Sequence, residues 1–173
     1  MNACFRRSLL AGLALAGCCA GLLAAAAPRQ VEAFDAAAWS ALQAGLTQPT
    51  VVVFSTTDCA HCPAVISGLA HQIQQRKAKA QGRASLVAVV MDAAPGDDDA
   101  ALIGNVHYRP ADRLLAFSGP APVLRYAVDP RWRGVTPFVV FLSPGRAPVF
   151  VTGPPQSDQV NAWLRNSVPG QPR

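Results

Sequence analysis

Three short runs constrain this chain more than anything else in it: Thr50–Ser55, Leu86–Met91 and Pro137–Leu142, each without a single charged residue. They are rich in Val, Phe and Leu and too short for an ordinary helix, so they read as strands. A strand that is apolar at every position has both faces buried. The sheet they form must therefore be covered on two sides, which places the chain among α/β folds rather than sandwiches or bundles.

The coverings are legible between the runs. Asp35 precedes an alanine-rich stretch containing Trp39 and Leu42, with Phe34 placed for a hydrophobic staple, so 35–46 is expected to be helical. Cys59 to about Gln81 carries Val65, Ile66, Leu69 and Ile73 at helical spacing. Beyond Met91 we expect short helices at 100–107 and 110–117, a strand over 123–128, and a connection over 129–134. A turn at 143–146, a strand at 148–152 and a terminal helix begun by Ser157, with Val160, Trp163 and Leu164 inward, complete the pattern. The 173 residues thus read as a leader over 1–27, a linker over 28–33, one domain over 34–167 and a tail over 168–173.

The leader decides how the composition is interpreted. Arg6 and Arg7 precede an unbroken apolar run from Leu9 to Ala27, closed by Pro28 and Arg29. A basic start, an apolar stretch and small residues form an export signal. Three readings fit: cleavage near Ala24–Ala27, lipid attachment at Cys18 in the lipobox-like Leu15-Ala16-Gly17-Cys18, or an uncleaved membrane anchor. All place the domain outside the cytoplasmic membrane, in the periplasm. Three of the five cysteines lie in the leader, leaving Cys59 and Cys62, and without Arg6 and Arg7 the net charge falls from +5 to +3. The remaining basic residues are scattered, which excludes a nucleic-acid footprint.

Those two cysteines form Cys59-Ala60-His61-Cys62-Pro63, at the junction of an expected buried strand and helix. A C-x-x-C inside a βαβ pattern reads as a redox dithiol. Free N–H groups and positive potential at the helix start favour a thiolate at Cys59, the attacking residue. Cys62, one turn in, is placed to resolve the mixed disulfide. His61 between them favours the Cys59 thiolate further, and a lower thiol pKa makes the disulfide more oxidising. A structural zinc site and an inert disulfide are the competing readings; the first lacks a second ligand pair, and the second gains little from so short a loop.

The segment Phe54 to Pro63 resembles the active-site segment of the thioredoxin-like superfamily, and Gly134-Val135-Thr136-Pro137-Phe138 resembles its second signature. The resemblance spans 34–167. It implies a central mixed β-sheet flanked by helices, a cis-proline at Pro137 facing the disulfide, and substrate backbone docking at Thr136 and Pro137. Cys62 and Pro137 are 75 positions apart, and the insertion this implies before the cis-Pro loop is similar to that of TlpA-like exported thiol-disulfide proteins. Val53, Val65 and Asp58 stand where such proteins carry Asp, Glu and Trp, whereas Cys-x-His-Cys is similar to disulfide oxidases and isomerases.

The resemblance implies a thiol:disulfide oxidoreductase, expected to act as a reductase, with no organic cofactor or metal. Its partners are substrate proteins bearing thiols or disulfides, and a membrane redox partner that recycles the dithiol. Two other functions stay open. One is a copper-handling protein similar to SCO proteins, with Cys59, Cys62 and a distal His107 or Met91 as Cu(I) ligands. The other is a redox-inert binding module.

Overall fold

A computed structural model describes residue 28 and residues 30–167. The expected leader over 1–27, with Cys18, and the tail over 168–173 lie outside the described residues. Among those described, no helix is long and apolar enough to cross a membrane.

The chain runs β1 (Val31–Phe34), α1 (Ala36–Ala44), β2 (Thr50–Ser55), α2 (Cys62–Ala78), β3 (Ser85–Val90) and α3 (Asp99–Gly104). It continues through β4 (Arg113–Phe117), α4 (Ala121–Val128), β5 (Phe138–Leu142), β6 (Val149–Thr152) and α5 (Ser157–Asn166). The six strands form one mixed sheet in the order β1-β4-β3-β2-β5-β6. β1, β4, β3 and β2 are mutually parallel, and β5 and β6 add antiparallel. With helices on both faces, this is a thioredoxin-like fold.

Period-two alternation divides the core in two. Val51, Val53, Leu86, Ala88, Val90, Val139 and Phe141 face one way, onto Ile66 and Leu69 of α2 and Val160 and Leu164 of α5. Val52, Phe54, Val87, Val89, Phe138 and Val140 face the other, onto Trp39 of α1, Leu124 and Val128 of α4, and Trp132. α1 is begun by Asp35, whose Oδ1 accepts from the Ala38 N–H at 2.7 Å, as its sequence predicts.

Three expectations are corrected. Residues 110–117 do not form a helix; Arg113–Phe117 is the strand β4. Leu114 and Ala116 enter one core cluster and Leu115 and Phe117 the other, so both faces are buried and the run carries no alternation to betray it. The Asp112 carboxylate accepts from the Leu86 N–H at 2.7 Å, and the Asp112 N–H donates to the Leu86 carbonyl at 2.8 Å, setting β4 against β3. Conversely, 123–128 is helical: Leu124 and Val128 are buried one turn apart while Val123 and Tyr126 are exposed. The stretch is too short for its helical period to stand out. Lastly, Val31–Ala33, read as linker, belong to β1, which pairs along β4 from Val31↔Leu114 to Phe34↔Phe117.

The expected insertion is therefore α3 together with β4, between β3 and α4. It places a strand inside the sheet, separating β1 from β3.

Phe54 is fully buried, with ring centroids 4.9 Å from Trp132, 5.4 Å from Phe34 and 6.2 Å from Phe138. Phe54→Ala is expected to cost about 3–5 kcal/mol, read as a lower urea midpoint. At the sheet's edge Arg113 bonds the Glu32 carboxylate at 2.6 and 2.8 Å. These hydrogen bonds hold Glu32 below its ordinary value of 4.5. Their stabilisation is present above that value and lost as pH falls through the lowered one. Both side chains are partly exposed, so Glu32→Gln should cost about 0.2–1 kcal/mol at neutral pH. The difference from the native chain should vanish in acid, as paired urea titrations would show.

Candidate functional site

β2 ends at Ser55, and the chain turns through Thr56-Thr57-Asp58 to reach Cys59. The turn is closed by the Cys59 N–H on the Thr56 carbonyl at 3.2 Å, and the next by the Cys62 N–H on the Cys59 carbonyl at 3.3 Å. Cys62 opens α2 and Pro63 follows within its first turn, where a missing N–H leaves no helical bond unmade. The helix thus begins at the second cysteine, not the first. Cys59 and Cys62 are disulfide-bonded, with Cα atoms 5.5 Å apart.

The two sulfurs are unequal. Cys62 is 1% exposed, whereas Cys59 is partly accessible. His61 is exposed at the N-cap, and its side chain makes no capping bond. No acid lies in the first turn of α2 to offset the positive end of the helix. Val53 and Val65 are buried among apolar neighbours, so no carboxylate sits under the disulfide at either position.

Pro137 is brought to the same end of the sheet by register. β2 and β5 pair antiparallel up to Phe54↔Phe138, so one further step sets Pro137 opposite Ser55, where the chain leaves for Cys59. The Thr136–Pro137 peptide is cis, Pro137 is buried and Thr136 is half-buried. The Pro137 carbonyl accepts from the Gly153 N–H at 2.8 Å, tying it to the end of β6. Gly134 has φ +87°, a conformation side-chain-bearing residues rarely adopt, so the turn entering this loop favours glycine.

Three residues without an assigned role in the sequence buttress these loops. Trp132 stacks on Phe138 with centroids 4.3 Å apart, and its Nε1–H donates to the Val135 carbonyl at 3.0 Å. It braces the cis-Pro loop from the core side. Asp92, just beyond β3, accepts from the Thr57 N–H at 3.0 Å and from Thr57 Oγ1 at 2.6 Å. Tyr108, from the insertion, is 3% exposed; its hydroxyl lies 3.4 Å from the Thr56 carbonyl and 3.5 Å from Ser55 Oγ, both long contacts. Burial, with the nearby carboxylates of Asp92 and Asp58, pushes the Tyr108 phenol up, against the hydrogen bond from Ser55. Only the register of β2 against β3 signals Asp92 in advance, since Ser55 pairs with Val90. Nothing local signals Tyr108.

The copper ligands do not assemble. Among the described residues no three His, Cys, Asp or Glu side chains stand close enough to hold a metal, so His107 does not join the cysteines. Met91 packs on the α1 and α4 side of the sheet, whereas α2 lies on the other. What the site can do chemically is thiol–disulfide exchange: a buried sulfur is joined to an accessible one at a helix N-terminus.

Trp132→Phe keeps the stacking and removes the bond to Val135. We expect a loss of about 1 kcal/mol in urea unfolding, and slower disulfide exchange because the cis-Pro loop loses its brace. Equal exchange rates in native and variant chains would show that the indole N–H is not needed there.

No protein-family model matches the chain, and no curated protein sequence matches it. Solved structures do. A secreted disulfide oxidoreductase of Mycobacterium tuberculosis, homologous to E. coli DsbE, is 19% identical over 73% of this chain and 85% of its own, with a TM-score of 0.49. DsbF of the same bacterium, in mixed oxidised and reduced forms, is 16% identical over the same shares, with a TM-score of 0.49. The reduced N-terminal domain of PilB from Neisseria meningitidis is 15% identical over 68% of this chain and 79% of its own, also at 0.49. The fold itself rests on this chain's own sheet order, Cys pair and cis-proline.

Proposed function

We propose that the protein is an exported thiol:disulfide oxidoreductase acting on substrate proteins, in the reducing direction. The observation that carries this is the asymmetry of the Cys59–Cys62 disulfide: one sulfur is accessible, the other is buried in the first turn of α2. In the reduced protein the Cys59 thiolate attacks a substrate disulfide, forming a Cys59–substrate bond and releasing one substrate thiolate. Cys62, deprotonated, then attacks Cys59 Sγ, restoring the intramolecular disulfide and releasing the second substrate thiol. Two electrons pass from protein to substrate, so a membrane-borne dithiol donor must return them. Thr136 and Pro137 hold the substrate backbone alongside, and His61 adjusts the Cys59 thiol. The export signal read over 1–27, retained as an anchor or carrying lipid at Cys18, would keep the domain near that donor. The placement of the α3–β4 insertion, similar to that of TlpA-like proteins, supports the reducing direction.

Cys59→Ser is expected to abolish insulin reduction, and Cys62→Ser to accumulate mixed disulfides resolved by non-reducing gels. Activity retained in Cys59→Ser would sink the mechanism, and no exchange by the native chain would favour the inert binding module. Equilibration with glutathione sets the direction. A potential near about −270 mV is that of a reductase such as thioredoxin, and one near about −120 mV that of an oxidant such as DsbA.

A further inference from the structure

The loop that carries Cys59 is held by negative charge. Thr57 gives both its N–H and its hydroxyl to the Asp92 carboxylate, with the amide 3.0 Å from each oxygen. Asp58 immediately precedes Cys59 and is exposed. The Thr56 carbonyl, which the Tyr108 hydroxyl approaches, also accepts from the Cys59 N–H. Tyr108 thus stands one hydrogen bond from the backbone of Cys59; burial above all raises its phenol, and the Asp92 and Asp58 carboxylates lie near enough to add to that.

Against them stand the helix N-terminus and His61. The cis-Pro loop adds no titratable side chain over Gly134-Val135-Thr136-Pro137. The ionisable side chains next to Cys59 along its own turn are Asp58 and His61, with Asp92 bonded to Thr57 and the Tyr108 phenol at the Thr56 carbonyl.

We propose that Asp92, held against the turn by its bonds to Thr57, acts through its charge together with Asp58 to disfavour the Cys59 thiolate and so makes the Cys59–Cys62 disulfide the more stable form. The inference rests on the oxidoreductase reading and deepens it, giving a structural cause for the reducing direction. A thiolate disfavoured in the reduced protein leaves the dithiol less stable relative to the disulfide, and electrons leave it more readily. Asp92 serves a second end through its three hydrogen bonds, which fix the turn, and the two roles can be separated.

The test is a pH titration of Cys59 thiolate absorbance in the reduced protein, for the native chain, Asp92→Asn, Asp58→Asn and Thr57→Val. Asp92→Asn keeps an oxygen to accept from Thr57 but removes the charge; Thr57→Val removes one bond and keeps the charge. Each Asn variant should raise the Cys59 acid dissociation constant about two- to fivefold, the scale of a solvent-exposed charge interaction. It should shift the glutathione equilibrium toward dithiol by a similar factor when measured above the titration midpoint. Thr57→Val should leave the dissociation constant unchanged. An unchanged constant in Asp92→Asn, or an equal change in Thr57→Val, overturns the proposal. Insulin reduction by the native chain, run alongside, tests the oxidoreductase reading separately: its absence would remove the function while leaving the charge effect measurable.

Discussion

Everything at the site depends on β2 being paired on both sides. It lies between β3, parallel, and β5, antiparallel, with all six of its residues buried. The parallel partner ends beside it and delivers Asp92 to the turn that follows. The antiparallel partner begins beside it and delivers Pro137. Thus one strand's register, fixed by alternate burial of Val51 and Val53 on one face and Val52 and Phe54 on the other, sets the positions of Cys59, the Asp92 clamp on its turn and the cis-proline together. A slip of one residue would exchange the two faces and move all three.

The same strand links stability to the site. Phe54, its last inward residue on the α1 and α4 face, touches Trp132 and Phe138, and Trp132 reaches out by its indole N–H to Val135. The cis-Pro loop is therefore an extension of the aromatic core rather than a free surface loop. Two sides of the disulfide are held by different means: the cis-Pro side by stacked rings, which resist displacement at any pH, and the Cys59 side by a carboxylate bonded to a hydroxyl and an amide. The second is the side where charge can alter chemistry.

Much of this was legible in residue order. The apolar runs of β2, β3 and β5 announce a sheet buried on both faces, and Cys59-x-x-Cys62-Pro63 announces a helix start with a dithiol. Pro137 before Phe138-Val139-Val140 marks where the second loop enters the sheet. What was not legible lay in the insertion and the elements beside it. Arg113–Phe117 and Ala121–Val128 are both short and apolar, so neither period can show; their identities as strand and helix come from what they pack against. β1 was missed for a related reason. Val31-Glu32-Ala33-Phe34 is unremarkable alone and becomes a strand because β4 offers it an edge. Tyr108 was invisible because its partner, the Thr56 carbonyl, is 52 residues away.

The insertion also has a consequence for the chemistry. Val53 and Val65 leave the ground under the disulfide apolar, and an apolar floor by itself raises the cost of a thiolate. An acid buried there could pass protons to and from Cys62, but would be costly to keep charged. Here the negative charge stands instead at the solvent edge, on Asp58 and Asp92, and the insertion contributes a phenol in place of a carboxylate. Protons can then be exchanged with water on the accessible Cys59 side, while Cys62 lies buried in the first turn of α2. That division fits the proposed order, in which Cys59 attacks a substrate disulfide and Cys62 resolves.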